Sequence, residues 1–477
     1  DPGWGEWEST RGLRLSISEQ FFPWLICASV APRGFIFSFE LGWPHGVEEE
    51  SIWTRYKKVF DLYGQRERLA AVDGFGPFPG PGEVTDVGVQ HRQKIYPILK
   101  RWNGVPVPAE EYHNPRPEED LMCLTPGEAA RRKPKTASEI ALRMAEEHLS
   151  SARAKRNSLD AAQRITELRS TLRAKLGGQI EPSAQPEVHV LWTKADPRFT
   201  VEGIEAASER GFQIPFLLIR PKMANPSGKL PVVVGFSQQG KAAFLSERRA
   251  EIGLLLEKGA AICLVDVRGV GEMEKRAGHG SNSTSMAATS LMLGDTALAA
   301  RLRDARTVLR YLSARADIDS KRIVLWGDST ANVNPRDLML DQSVLQSPGP
   351  QTIYTSEPLG GVLVLVTALY EDDVRAIVAS RGLISYVSVL KDRFAYVPQD
   401  VIVPGILESA DIPDIVAALR PRGVRIESAV DGRNRALTRA EMEEELGAVH
   451  EAPSTVMTVE HPGGPDTAAW MAAQWSK

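Results

Sequence analysis

Residues 316–331 read ADIDSKRIVLWGDSTA, and the second half of this stretch decides the fold. Residues 323–326 are all apolar, which predicts a short buried strand. The next residues, Gly327-Asp328-Ser329-Thr330-Ala331, predict a sharp turn into a helix, because small residues stand at both ends. A serine at such a turn projects its hydroxyl above a sheet, near a helix N-terminus that stabilises an oxyanion. The pattern predicts Ser329 as a nucleophile, although Gly-Asp-Ser also occurs in ordinary turns.

The sequence from residue 201 onward alternates between apolar runs and amphipathic segments. One helix is predicted by a core-facing stripe with spacings of four and three, formed by Leu298, Leu302, Ala305, Leu309 and Leu312. Runs that are apolar at consecutive positions are typical of strands covered on both faces. Eight strands are predicted, at residues 201–205, 214–220, 232–236, 261–265, 323–326, 374–379, 424–428 and 456–459. Such alternation predicts a doubly wound α/β sheet that binds ligands at the carboxyl ends of its strands.

Two later loops carry side chains that can activate Ser329. A serine hydroxyl needs a histidine to take its proton and a carboxylate to orient that histidine. Asp431 follows the predicted strand 424–428, and His461 follows the strand 456–459, so both stand at the same sheet edge as the serine. Serine, acid, histidine is also the chain order of α/β hydrolases. Alternatively, Asp431 is the turn-former of an Asp-Gly pair, and His461 is an ordinary loop histidine.

Further loops at this edge complete the predicted site. The loop Ser237-Gln238-Gln239 follows the strand 232–236, and its backbone N–H groups can form an oxyanion hole with that of Thr330. Three side chains of two later loops are predicted to border the substrate pocket, namely Asp266, Arg268 and His279. Arg268 either faces the substrate or pairs with Asp266, and the second interpretation is favoured. The glycines of this loop lack the spacing of a dinucleotide-binding motif, so no cofactor is predicted.

Composition excludes several classes of protein. The net charge is 57 − 61 = −4 over 477 residues, so no basic surface is expected for nucleic acid or an anionic membrane. The longest apolar stretch, residues 359–370, is about half as long as a membrane-spanning helix requires. Three cysteines leave at least one unpaired, which excludes a disulfide framework, and no metal site is predicted.

A weak internal repeat predicts the domain organisation. Residues 25–34 read LICASVAPRG and residues 415–423 read IVAALRPRG, and each is followed by a strand, a helix, a strand and a helix that contains tryptophan. We predict a partial hydrolase-like unit at 1–104, a charged helical linker at 105–186 and a complete catalytic domain at 187–477. The partial unit would expose a strand edge, so we expect an upstream segment, another chain or the second domain to cover it. The chain starts without Met, and we expect that a leader or a longer N-terminal part precedes it.

Residues 189–477 resemble bacterial α/β-hydrolase esterases of the acetyl xylan esterase and glucuronoyl esterase type. The similar segments are GFSQQGK at 235–241, DVRGVGE at 266–272, ADIDSKRIVLWGDS at 316–329, RPRGVRIESAVDG at 420–432 and VEHPGG at 459–464. The resemblance implies a metal-free serine mechanism with Ser329 as nucleophile, His461 as base and Asp431 as orienting acid. It also implies a small-molecule or polysaccharide ester as substrate and a secreted or periplasmic protein. Ala331 departs from the usual glycine.

The same resemblance extends to residues 1–104, which are similar to the family's C-terminal third. Where that family has its histidine loop, this copy reads VDGFG at 72–76, which indicates that it has no working triad. Two other functions stay open for the whole chain: a serine peptidase or amidase on the same fold, and a catalytically inactive carbohydrate-binding or scaffold module.

Overall fold

A computed structural model gives the fold. It describes residues 17–20, 23–39, 46–74, 87–111, 116–222, 228–274, 282–337, 353–447, 455–460 and 464–475. The chain divides into two compact units, Asp1–Pro134 with Met292–Gly294, and Lys135–Leu291 with Asp295–Lys477.

The first unit is built on two parallel strands, and its elements are α1 (Pro23–Ala28), β1 (Phe35–Phe39), α2 (Ser51–Leu62), β2 (Leu69–Asp73), α3 (Val89–Asn103), α4 (Glu118–Leu121) and α5 (Pro126–Arg132). Strands β1 and β2 pair from Phe35 opposite Leu69 to Phe39 opposite Asp73. Helix α2 buries Tyr56 and Phe60 against this sheet, because residues four apart share one helix face. The rings of Phe35 and Tyr56 meet edge to face, with their centroids 5.2 Å apart.

The second unit contains a nine-stranded sheet in the order β11-β10-β9-β8-β6-β7-β5-β4-β3. Its strands are β3 (Val188–Ala195), β4 (Phe199–Glu209), β5 (Phe212–Pro221), β6 (Leu230–Ser237), β7 (Ala261–Val265), β8 (Ile318–Asp328), β9 (Val374–Ser380), β10 (Gly423–Glu427) and β11 (Val456–Val459). Strands β6 to β11 are parallel to one another, and β3, β4 and β5 extend the sheet in antiparallel pairing. All eight predicted strands are present. Strand β3 was not predicted, because it is an edge strand whose side chains are mostly exposed.

Helices cover both faces of this sheet. The remaining helices are α6 (Ala137–Asn157), α7 (Ala161–Leu176), α8 (Gly240–Glu247), α9 (Arg249–Glu257), α10 (Asn282–Met292), α11 (Ala297–Ala314), α12 (Leu359–Tyr370), α13 (Val387–Leu390), α14 (Ile412–Ala418), α15 (Arg439–Glu445) and α16 (Gly464–Trp475). The predicted stripe of α11 and nearly all of α12 lie in the core on one face. Side chains of α8, α9 and α16, among them Phe244, Leu255 and Met471, form the core on the other face. This doubly wound sheet is the predicted α/β-hydrolase fold.

Helices α6 and α7 belong to the second unit, so a linker does not describe residues 137–176. Leu168, Leu172 and Leu176 of α7 are buried in the main core. Arg153 and Arg156 of α6 donate to the carboxylate of Asp414, at 2.9 Å and 3.2 Å. The leucines recur every fourth residue within a strongly charged sequence, so the average composition of the segment hides its buried face.

Candidate active site

Ser329 lies at the carboxyl edge of the sheet, directly after the central strand β8, and only 2% of it is exposed. The predicted sharp turn exists, but the predicted helix start after it is wrong, because residues 329–335 form no helix. The helix beneath the turn is α12, which begins at Leu359. A Cβ on Gly327 would lie 2.1 Å from the carbonyl oxygen of Gly360, so glycine is required where strand and helix meet.

The hydroxyl of Ser329 accepts a hydrogen bond from the backbone N–H of Ala331 at 3.2 Å. The residue before it, Asp328, is buried, and Arg248 donates two hydrogen bonds to its carboxylate at 2.5 Å and 3.0 Å. Burial raises the pKa of Asp328, and the hydrogen bonds and charge of Arg248 oppose that rise. This ion pair holds the carboxylate of the residue directly before Ser329. It could not be predicted from the sequence, because its members are 80 residues apart.

The predicted oxyanion-hole residues meet around Glu357, a residue that the sequence did not suggest. The backbone N–H of Thr330 donates to the carboxylate of Glu357 at 3.4 Å. The side-chain amide of Gln239 donates to the other oxygen of the same carboxylate. The side-chain oxygen of Gln238 accepts from the backbone N–H of Leu359 at 3.4 Å. The loop after β6, the loop after β8 and the start of α12 therefore converge on one half-buried carboxylate.

Ser237 ends strand β6 and is buried, and its hydroxyl accepts from the backbone N–H of Gln239 at 3.3 Å. This hydrogen bond shapes the loop that Gln238 and Gln239 share. The loop ends where the first residues of α8 begin, at Gly240, whose φ of +83° is favourable for glycine.

Asp431 lies in the loop after β10 and is 8% exposed. Its carboxylate accepts from the backbone N–H groups of Arg433 and Arg435, both at 2.9 Å, and forms an ion pair with the Arg435 guanidinium at 2.6 Å. It also lines a cavity of about 270 Å³ together with Asp392. Both backbone N–H groups donate to the same carboxylate oxygen. Asp431 therefore has the turn-forming role that the sequence offered as an alternative.

The loop of Asp431 is bonded to the loop of Ser329. The backbone N–H of Asn334 donates to the carbonyl of Asn434 at 2.8 Å. In return, the side-chain amide of Asn434 donates to the carbonyl of Asn332 at 2.9 Å. Asn334 also donates through its side chain to the carbonyl of Arg433 at 2.8 Å. Two predicted site loops that are about a hundred residues apart in the sequence therefore meet at this edge.

His461 and His279 lie outside the described residues. The chain is described as far as Glu460, which follows β11. The hydroxyl of Ser428, at the end of β10, donates to the carbonyl of Glu460. The last described residue before His461 is therefore at the same edge as Asp431.

Asp266 and Arg268 have structural partners, but they are not paired with each other as considered from the sequence. The carboxylate of Asp266 binds the Lys241 ammonium at 2.6 Å and accepts two backbone N–H groups. Arg268 pairs with Asp304 at 2.6 Å, and its guanidinium lies 4.2 Å from the centre of the Phe212 ring. Burial would lower the pKa of Arg268, but hydrogen bonds from the guanidinium to Asp304 and the charge of that carboxylate raise it overall.

A cavity of about 390 Å³ opens at the loop that follows Ser329. Its lining comes from the ends of β8, β9, β10 and β11, and includes Ala331, Arg336, Arg381, Ser428, Leu437 and Glu460. Arg381 donates to the backbone carbonyl of Ser329 at 3.4 Å. This cavity borders three of the loops that were predicted to carry the site, those after β8, β10 and β11.

The described residues show neither a metal-binding cluster nor a membrane-spanning helix. No group of three or more His, Cys, Asp and Glu side chains among them is arranged to hold a metal ion. None of the helices in this part of the chain is both long and apolar enough to cross a membrane.

No protein-family model matches the sequence, and no curated protein matches it. Solved structures do resemble the fold. A Bacteroides fragilis protein assigned as an acetyl xylan esterase is 17% identical, with a TM-score of 0.46 over 63% of this chain and 75% of that chain. Methylesterase BT1017 is 16% identical, with a TM-score of 0.44 over 68% and 67% of the two chains. A glucuronoyl esterase from Solibacter usitatus is 13% identical, with a TM-score of 0.42 over 65% and 92%.

Proposed function

We propose that the protein is a serine-dependent hydrolase of carboxylic esters, acting on carbohydrate esters through an acyl-enzyme. The observation that carries the proposal is the position of Ser329. It stands at a sharp turn on the carboxyl edge of a central parallel strand, above the start of α12, and the loop that follows it lines a cavity. This is where an α/β sheet presents a nucleophile to its substrate.

In the proposed reaction, the Ser329 hydroxyl attacks the ester carbonyl while His461 takes its proton. Asp431 orients the imidazole and stabilises its charge. The tetrahedral intermediate expels the alcohol, which receives the proton from His461, and the acyl group stays on the serine. Water then attacks this acyl-enzyme by the same route and releases the acid.

The oxyanion would be held by the backbone N–H of Thr330 and by the loop Ser237-Gln238-Gln239. Because the Thr330 N–H donates to Glu357, this carboxylate has to give up that hydrogen bond before an oxyanion can accept it. Glu357 therefore holds the donors in place without substrate and competes with the transition state. The proposed substrates are polymeric or small sugar esters, for which we propose a location outside the cytoplasm.

Replacement of the nucleophile tests the proposal. We expect Ser329→Ala to lower kcat by about a million-fold, since the members of a triad act as a unit. The assay would use 4-nitrophenyl acetate and acetylated xylan, with peptide anilides to detect amidase activity instead. Ser320→Ala, at the other end of strand β8, is the matched control and should keep the normal rate.

A fluorophosphonate probe gives an independent measurement. It should label the unmodified protein at Ser329 and fail to label the Ser329→Ala variant. A near-normal hydrolysis rate of that variant, with folding checked by circular dichroism, would remove the serine mechanism. An unlabelled protein that binds polysaccharide would support an inactive binding module instead.

A further inference from the structure

The two edge strands of the nine-stranded sheet differ in length and in exposure. Strand β11, at one edge, has four residues, of which three are half-buried. Strand β3, at the other edge, has eight residues, and all but the first are exposed. Its centre is apolar, since Val190, Leu191 and Trp192 are 52%, 57% and 41% exposed. Monomeric proteins usually keep a free sheet edge short or charged, so a long apolar edge indicates a surface that pairs with another strand.

Backbone groups of β3 point away from the sheet along this edge. The carbonyl of Glu187, directly before β3, accepts the backbone N–H of Ala207 at 2.8 Å, so the backbone of Glu187 faces β4. Because the direction of these groups alternates along an antiparallel ladder, the N–H and C=O groups of Val188 and Val190 face outward. The described sheet ends at β3, so these groups are available to a further strand.

The register of β3 with β4 places four side chains on one face of this edge. His189, Trp192 and Lys194 lie opposite every second residue along β4, so they share a face. Leu191 has no partner on β4, and this bulge accounts for their irregular spacing. The carboxylate of Glu187 contacts the His189 ring at 3.1 Å and belongs to the same face. The face therefore carries an acid at one end and a base at the other.

The charges at the two ends of this face fit a second copy of the same strand. Lys194 has no acidic partner among the described residues, and its ammonium lies 5.3 Å from the centre of the Trp192 ring. When a strand pairs in antiparallel fashion with its own copy, opposite ends come together. Glu187 of one protomer then meets Lys194 of its partner, and two-fold symmetry produces this contact twice.

We propose that β3 is the docking surface for a second copy of the chain, in a two-fold dimer whose sheets join by antiparallel pairing of the two β3 strands. The outward backbone groups of Val188 and Val190 supply the hydrogen bonds. With Leu191 outside the ladder, as it is against β4, Val190 lies opposite its own copy at the two-fold axis. A pair of strands buries a small area, so we expect dissociation at micromolar concentrations. The inference does not depend on the proposed ester hydrolysis.

Sedimentation velocity of the full chain, at concentrations from about 1 to 100 µM, tests the dimer. The unmodified protein should shift from monomer to dimer over this range. Val190→Lys sets two ammonium groups against each other at the axis and should raise the dissociation constant at least about tenfold. Ile140→Lys, at an exposed apolar position of α6, is the matched control and should dimerise normally. A protein that stays monomeric at the highest concentration, or a Val190→Lys variant that dimerises normally, would overturn the proposal.

An exchange of the two end charges protects the test against simple misfolding. Glu187→Lys and Lys194→Glu should each raise the dissociation constant about tenfold, because each variant sets like charges against each other twice. The double variant restores opposite charges and should dimerise like the unmodified protein. A double variant as weak as the single variants would overturn the proposed pairing, since direct contact between the two ends requires the rescue.

Discussion

Residues 23–103 and 412–475 have the same order of helix, strand, helix, strand and helix. In the first segment Phe35 pairs with Leu69, and in the second Val424 pairs with Val456. Both segments also place a glycine against a tryptophan of the last helix. A Cβ on Gly34 would lie 2.6 Å from the Trp102 ring, and one on Gly423 would lie 3.3 Å from the Trp470 ring. A duplication explains this agreement, and it stays a prediction.

The two segments differ at the ends of their strands. Counted from the paired residues, Asp431 corresponds to Gly42 and His461 to Gly74. The first segment thus repeats the strand–helix scaffold and carries glycine at both positions proposed for the triad. The first segment keeps the glycine and the tryptophan that pack together, but it has neither the acid nor the histidine. Different residues therefore determine the fold of this segment and its proposed catalytic function.

Apart from loss of the nucleophile itself, the largest effect is expected from a neutral residue at the acid position of the second segment. Asp431→Asn should lower kcat for 4-nitrophenyl acetate about ten-thousand-fold, because an amide cannot hold the histidine in the reactive tautomer. Asp392→Asn is the matched control, since Asp392 lines the same cavity and pairs with Arg433 at 2.9 Å. If Asp431→Asn kept a tenth of the activity, Asp431 would have only a structural role, namely its ion pair with Arg435.

Substitution of the glycine that packs against tryptophan in each segment should have an intermediate effect. We expect it to change stability and not activity. Gly34→Ala should destabilise the first unit by about 1–3 kcal/mol, because the new methyl group overlaps the Trp102 ring and packing must shift. Gly423→Ala should cost less, about 1 kcal/mol, since its contact is looser. Amide hydrogen exchange, measured separately for each segment, gives the loss of stability in both variants. A loss of hydrolysis in Gly34→Ala would contradict the separation of scaffold from chemistry.

The sequence predicted the sheet well, because buried parallel strands leave apolar runs that need no partner to be recognised. The bounds of β7 and β11 are as predicted. The sequence also predicted the turn at Ser329, because the apolar strand and the small residues that follow it form a local pattern. The helix beneath that turn was misplaced, because the contact of Gly327 with Gly360 joins residues about thirty positions apart and leaves no local pattern.

The site was predictable only where a residue follows a strand. Asp431 and the loop Ser237-Gln238-Gln239 were chosen in that way and lie at the carboxyl edge. Glu357 precedes a helix and contacts Gln239 and Thr330, which are distant in the sequence, so no spacing indicated it. Its only local signal is an acidic residue before the glycines and the apolar run of α12, a common arrangement at helix starts.

The smallest effect concerns Glu357, which precedes α12 in the second unit. Glu357→Gln should raise kcat/KM about three- to tenfold at neutral pH, because it removes a negative charge that competes with the oxyanion for the Thr330 N–H. The amide oxygen can still accept from Gln239, so the loop should keep its shape. Glu272→Gln, an exposed loop carboxylate paired with Lys241, should leave kcat/KM unchanged. A tenfold fall in Glu357→Gln would instead assign this carboxylate a supporting part in the reaction, and the oxyanion would then have to bind elsewhere than at Thr330.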